Sequence, residues 1–275
     1  MKFILSLMLI SFCFSVHAER FQSKIHTIDT STKKNVPHLI KLENGRVVFV
    51  EKEDNELLKT FKASMKHDDL LEIELDGSNR YVSAESVSEE KTETETEPTA
   101  RASFNPSVVE GYPNALALFR RMRRDYQNAS QCYNRAHIWQ YEEHKSTGTS
   151  SQKTFLFFTN RYIRNYRYKW WFHVSPMLLV RENGKVYERI IDRRYTSGPR
   201  YVKSWTNIFV ATHRTCPVAV RYTDYSRNQE SQDCYLMKVS QYYWQPRDIL
   251  TRDNGGRVKT DWIQSEVDYA YWEAF

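Results

Sequence analysis

Three residues of the 275-residue chain have types and neighbours suited to thiol chemistry: Cys132, His173 and Asp192. Cys132 follows the small polar stretch Asn128-Ala129-Ser130 and opens QCYNRAHIWQYEEH, which reads as a helix with Ser130 as its N-cap. A cysteine in the first turn of a helix sits among unpaired backbone N–H groups and at the positive end of the dipole, and both favour the thiolate. The same N–H groups can receive an oxyanion. Two plainer readings compete: a small buried hydrophobe, or half of a disulfide.

A nucleophile needs a base, and a hairpin supplies one. In KWWFHVSPMLLVRENGKVYERIID the Asn183-Gly184 pair marks a two-residue turn between apolar arms. Centring the turn there pairs residue 182 with 185 and places Asp192 opposite Ser175. His173 and Asp192 then become diagonal neighbours on one face, the arrangement in which a carboxylate orients an imidazole. Pro176 cannot donate to a ladder, so a bulge at this point would spoil the diagonal. Singly, His173 reads as a satisfied strand histidine and Asp192 as a strand-end cap; together with a helix-start cysteine they read better as a triad. His137, the rival base, falls about 140° around the helix from Cys132 and points away.

Cysteine usage also separates the readings. The N-terminus MKFILSLMLISFCFSVHA has Lys2, an apolar run too short to span a bilayer, and Val16-His17-Ala18, so it reads as a secretory signal ending at Ala18. Phe12 before Cys13 argues against a lipoprotein. Export permits disulfides. Once Cys13 leaves with the signal, Cys132, Cys216 and Cys234 remain; Cys216 and Cys234, separated by a turn-rich polar segment, are the expected disulfide, which leaves Cys132 free. No later segment is apolar enough to span a membrane, so the expectation is a secreted or periplasmic chain with no membrane partner after signal cleavage.

Around this site the chain divides. Residues 83–101, SAESVSEEKTETETEPTAR, are acidic and of low complexity, and read as a solvated linker. Before it, residues 19–82 contain an Asn44-Gly45 hairpin signal, a helical pattern with Leu57, Leu58, Phe61 and Met65 on one face, and the strand-like LLEIEL: a small α+β unit. Residues 19–101 carry a formal charge of −5 (13 bases, 18 acids) and residues 102–275 one of +10 (26 bases, 16 acids). An acidic front piece beside a basic body suggests that the two dock. Arg101-Ala102 suits a trypsin-like protease, so the front piece reads as an inhibitory prosegment and an intramolecular partner; an accessory domain that stays attached is the alternative. YPNALALFRRMRRDY opens the body as a helix, and its arginines read as a solvated face rather than a nucleic-acid surface.

The segments CYNRAH (132–137), FHVSPMLLV (172–180) and ERIIDRRYTSGP (188–199) resemble the bacterial protein-glutaminases in order and spacing. The resemblance implies an α+β, papain- and transglutaminase-like catalytic domain, with the cysteine on a helix and the histidine and aspartate on an antiparallel sheet. It carries the nucleophile to Cys132, the general base to His173 and the orienting carboxylate to Asp192. It also implies a preproenzyme whose front piece covers the site, with RASFNPSVV at the processing junction. Gln131 departs from the smaller residue expected before the nucleophile, and the tail after Gln245 has no counterpart.

The expected chemistry is deamidation of protein-bound glutamine, with release of ammonia and no cofactor or metal. No HExxH, CxxC pair or glycine-rich phosphate loop occurs, and eight glycines leave little room for one. The same triad would serve a transglutaminase or a cysteine protease, and a secreted cationic binding module is the non-enzymatic alternative. Trp170 and Trp171 flank the base and are expected to line a substrate groove. Pro246 marks a helix start, Asn254-Gly255-Gly256 a turn, and Asp261 the start of an amphipathic helix.

Overall fold

A computed structural model describes residues 19–76, 81–87, 104–127 and 130–275. The signal reading of residues 1–18, the Arg101-Ala102 junction, Asn128-Ala129 and most of the linker lie outside the described residues. One part of the linker differs from expectation. Residues 83–87 belong to a strand, because Tyr81–Val87 pairs antiparallel with the strand before it.

Among the described residues the front piece has two three-stranded antiparallel sheets and one helix. Strands β1 (Glu19–Ser23), β2 (Ile25–Asp29), β3 (His38–Leu42) and β4 (Val47–Val50) precede helix α1 (Asn55–His67), and β5 (Leu70–Leu75) and β6 (Tyr81–Val87) follow it. The sheet orders are β1-β5-β6 and β2-β3-β4. The turn at Gly45 closes with Leu42 donating to the Arg46 carbonyl (3.0 Å), and a φ of +93° there calls for glycine. α1 turns Leu58 and Phe61 inward, with Leu57 partly buried, but Met65 is 42 % exposed, so the apolar face is narrower than the spacing suggested.

Every residue of β3 and β4 is buried, which explains the unbroken apolar run VVFV. One face (Ile40, Leu42, Val48, Val50) packs into the front piece's own core. The other (Leu39, Val47, Phe49) packs into the core of the body. The pleat thus joins the two units through a shared apolar layer.

The body begins with β7 (Val108–Glu110) and α2 (Tyr112–Arg121), continues through α3 (Cys132–Thr147), β8 (Gln152–Phe158) and α4 (Asn160–Tyr166), and reaches the hairpin β9 (Phe172–Glu182) and β10 (Lys185–Ile190). β11 (Arg200–Tyr201), α5 (Val202–Phe209), α6 (Tyr222–Arg227), β12 (Cys234–Ser240), α7 (Pro246–Asp253) and α8 (Gln264–Ala274) complete it. Its sheet runs β11-β10-β9-β8-β12, with β7 parallel to β9. α3 is buried around most of its circumference, which is why it lacks a clean apolar stripe. Cys216 and Cys234 form a disulfide, and Cys132 is a free thiol. In the tail, α7 starts at Pro246 and Gly255 turns at φ +86°, while the last helix starts at Gln264, three residues later than Asp261.

Candidate active site

The hairpin register places His173. Residue 182 pairs with 185, and the pairing continues without a shift to Ile190 opposite Met177. One further bond, from the Ile191 N–H to the Pro176 carbonyl (3.0 Å), extends it to the point where the strands part. An N–H at residue 176 would donate back to Ile191, but proline has none. The neighbouring Ser175 hydroxyl donates to the Ile191 carbonyl instead (2.9 Å). Pro176 therefore ends the ladder without a bulge, and Asp192 leaves the sheet beside His173. The His173 Nε2–H donates to Asp192 Oδ2 at 2.7 Å, with both side chains buried.

Helix α3 delivers the thiol. Cys132 is its first residue, and the preceding Gln131 makes no side-chain cap bond. Ser130 is therefore not the N-cap: it lies one residue too early, and its hydroxyl accepts from Arg135 Nη1 (3.1 Å). The thiol is 9 % exposed and His173 is near enough to lower it, while the imidazole turns Nε2 to Asp192 and so leaves Nδ1 for the thiol side.

The electrostatics favour a thiolate–imidazolium pair. Burial pushes the Cys132 thiol up. Hydrogen bonds from His173 and the Val174 backbone N–H, with the charges of His173 and Arg135, more than offset this and bring it below its ordinary value of 9.0. Burial works against the imidazolium too, yet Asp192 and Cys132 raise His173 to about 9. Burial likewise opposes the Asp192 carboxylate, and His173 and Trp205 hold it below the usual aspartate range.

Four contributors to the site were not visible in the sequence. Trp205 Nε1–H donates to the same Asp192 oxygen (2.9 Å). Phe209 and Tyr195 pack on the imidazole, with ring centroids at 4.3 and 5.2 Å. Arg135 lies three residues, nearly one turn, along α3 from Cys132. The rival base His137 is fully buried away from the site, 3.1 Å from Lys153 Nζ, and burial and Lys153 keep it neutral.

Two cavities, of about 210 and 240 Å³, meet at Cys132 and His173. The expectation for the tryptophans splits between them. Trp170 lines the second cavity, but Trp171 lines neither. Trp171 is fully buried because the front piece covers it: its Nε1–H donates to the Leu42 carbonyl (2.7 Å) and His26 stacks on its ring (4.5 Å). The front piece also reaches the site, since Glu19 and Arg46 line the second cavity. Among the described residues no cluster of three or more His, Cys, Asp or Glu side chains could hold a metal ion, and no helix is long and apolar enough to cross a membrane.

A helix-start thiol beside a sheet-borne imidazole that is bonded to an aspartate is an arrangement suited to a cysteine hydrolase or acyltransferase. Residues 109–209, which contain all three groups, match the family model described as glutaminase. The fold matches two solved structures, each at 17 % identity over 83 % of this chain. One is a crystal structure of pro-protein-glutaminase (TM-score 0.50, 84 % of that chain); the other is of its A47Q2 mutant (TM-score 0.51, 85 % of that chain). No curated protein sequence matches. Residues 109–209 are thus similar to the glutaminase family, and the chain shares the fold of the two pro-protein-glutaminase structures.

Proposed function

We propose that this protein is an exported protein-glutamine deamidase, made as a zymogen, with Cys132 as nucleophile, His173 as acid and base, and Asp192 as the carboxylate that orients it. The observation that carries this reading is the grouping of Cys132 with a His173 bonded to Asp192, inside the segment that matches the glutaminase family.

The Cys132 thiolate attacks the side-chain carboxamide carbon of a glutamine, and the carbonyl π electrons move to oxygen. The first-turn N–H groups of α3, which have no acceptor within the helix, stabilise that oxyanion. On collapse the C–N bond breaks as the His173 Nδ1–H gives its proton to nitrogen, releasing ammonia and leaving a thioester. Neutral His173 then takes a proton from water, whose oxygen attacks the thioester carbon. The C–S bond breaks, and glutamate leaves with the thiolate restored.

Inhibition by residues 19–101 is part of the same proposal. Val47 N–H donates to the Lys169 carbonyl (3.0 Å) and Trp171 N–H to the Gly45 carbonyl (2.9 Å). The β3–β4 hairpin is thereby tied to the residues just before His173, and Arg46 and Glu19 occupy the cavity wall. An ammonia assay on a glutamine-rich protein, before and after cleavage between 101 and 102, tests both claims. Gln-to-Glu conversion by mass spectrometry, without peptide cleavage or cross-linking and absent in Cys132→Ala, is the expected result. Cross-linked or cleaved product, or no ammonia, would remove the deamidase assignment.

A further inference from the structure

The walls of the two cavities differ from the rest of the body in charge balance. Cys132, His173, Arg135 and Arg194 line both, and Arg123, Arg124 and Arg193 line the first. The carboxylates lining them are Asp192 in the first, engaged by His173 and Trp205, and the front piece's Glu19 in the second, engaged by Arg46.

The arginines are not equivalent. Arg123 is neutralised by Asp125 (2.6 Å) and Glu142 (3.2 Å). Arg193 is consumed by backbone, donating to the carbonyls of Phe119 (3.2 Å), Arg120 and Met122 (2.5 Å) at the end of α2. Arg135 is held against the Ser130 carbonyl and hydroxyl, and among the described residues no carboxylate forms an ion pair with it, although its charge reaches Asp192. Arg124 and Arg194 are exposed and make no ion pair among the described residues. The positive charges also crowd one another: burial, then the charge of Arg124, lowers Arg193 from its ordinary value.

Three guanidiniums with no ion pair among the described residues, one of them (Arg135) also acting on Cys132 and Asp192, form an anion-seeking rim. A guanidinium fork matches a carboxylate in bidentate geometry, and single-sign charge lining a cleft concentrates substrates of opposite sign. We propose that Arg124, Arg135 and Arg194 select glutamines flanked by acidic residues, so that the preferred substrates are acidic protein segments. This inference rests on the deamidase reading and adds the substrate class to it.

The test uses the chain from Glu19 after cleavage at residue 101 and inactivation of the protease. It measures kcat/KM for ammonia release from three end-blocked peptides that share one glutamine, flanked by glutamate, serine or lysine. Glutamate flanks are expected to exceed serine flanks by about tenfold, or about 1.4 kcal/mol, at low salt. The gap should shrink at high salt, where the Debye length falls to about 3 Å. The Arg124→Glu/Arg194→Glu double variant should invert the glutamate-to-lysine ratio, and Lys185→Glu, at the distant β9–β10 turn, should leave it unchanged. Equal rates on all three peptides, or an unchanged ratio in the double variant, overturn the acidic-substrate assignment alone. Ammonia from none of them overturns this assignment and the deamidase reading together.

Discussion

At Cys132 and His173 burial opposes charge on both partners, so the ion pair depends on what faces it. For a pair of this kind the active form spans the pH range above the lowered thiol value and below the raised imidazole value of about 9. The kcat/KM profile is therefore expected to fall near pH 9, and alkylation of Cys132 by iodoacetamide should already be fast at neutral pH. Asp192→Asn removes the carboxylate that raises His173. It should move the alkaline limb to lower pH and reduce kcat/KM on the order of ten-thousandfold; an unmoved limb would contradict the orienting role. Trp205→Phe keeps an aromatic ring beside His173 (centroids 5.6 Å apart in the parent) but loses the donor to Asp192 Oδ2. Hydrogen bonds to charged groups contribute about 1.5–3 kcal/mol, so a drop of roughly tenfold or more in kcat is expected with KM held. An equal loss in both parameters would mark Trp205 as packing only. Nothing in the spacing pointed to Trp205, because α5 returns to the site after the hairpin and no local periodicity links the two.

At the scale of elements, the hairpin was legible because Asn183-Gly184 fixes its own register: both residues adopt positive φ (51° and 75°), as a type I′ turn demands. Register then put His173 beside Asp192 by counting alone. The helix cap was not legible, since Ser130 and Gln131 are adjacent and local preference favours serine, whereas the tertiary partner Arg135 claims the serine hydroxyl. The Ser175–Pro176 pair gives a sharper test of how this hairpin ends. Ser175→Ala leaves the Ile191 carbonyl without a donor and should cost about 1–3 kcal/mol in denaturant unfolding. Pro176→Ala supplies a backbone N–H in the place from which it can reach that carbonyl, so the double variant should recover most of the loss. Additive losses in the cycle would mean that the serine does not substitute for the missing N–H.

Across the whole molecule, sequence gave the division into an acidic and a basic unit but not their joint. Opposite net charge suggested docking, and ion pairs do cross: Glu43 and Asp68 meet Arg247 (2.9 and 3.1 Å), and Asp29 meets Arg164. The joint itself is largely apolar, and a buried lysine lies within it. Lys41, 3 % exposed on the body-facing side of β3, donates to the Tyr225 hydroxyl and Gln229 Oε1 (both 2.9 Å) and has Trp171 and Tyr225 as its ring neighbours. Burial first, and then Arg164, lower it to about 7, with Asp29 and Glu230 opposing. A base with a lowered value in the docked state makes docking favour the deprotonated form. Docking should therefore strengthen as pH rises from about 7 towards the free-lysine value of 10.5, and below pH 7 Lys41 adds no further change. Further acidification acts through His26, which is stacked on Trp171, bonded to the Tyr222 hydroxyl and lowered to about 3, mainly by burial. Lys41→Met removes the cation and orphans neither partner, because Tyr225 still donates to the Phe158 carbonyl (3.1 Å) and Gln229 Oε1 still accepts from the Asn160 N–H (3.1 Å). Replacing a buried charge by an apolar group of similar length is often neutral or stabilising. The nicked variant should therefore hold its front piece at least as tightly as the parent at pH 7, and lose the rise between pH 7 and 10. Size-exclusion chromatography of the cleaved protein across that range measures this, and a variant that keeps the parent's slope would assign it to groups other than Lys41.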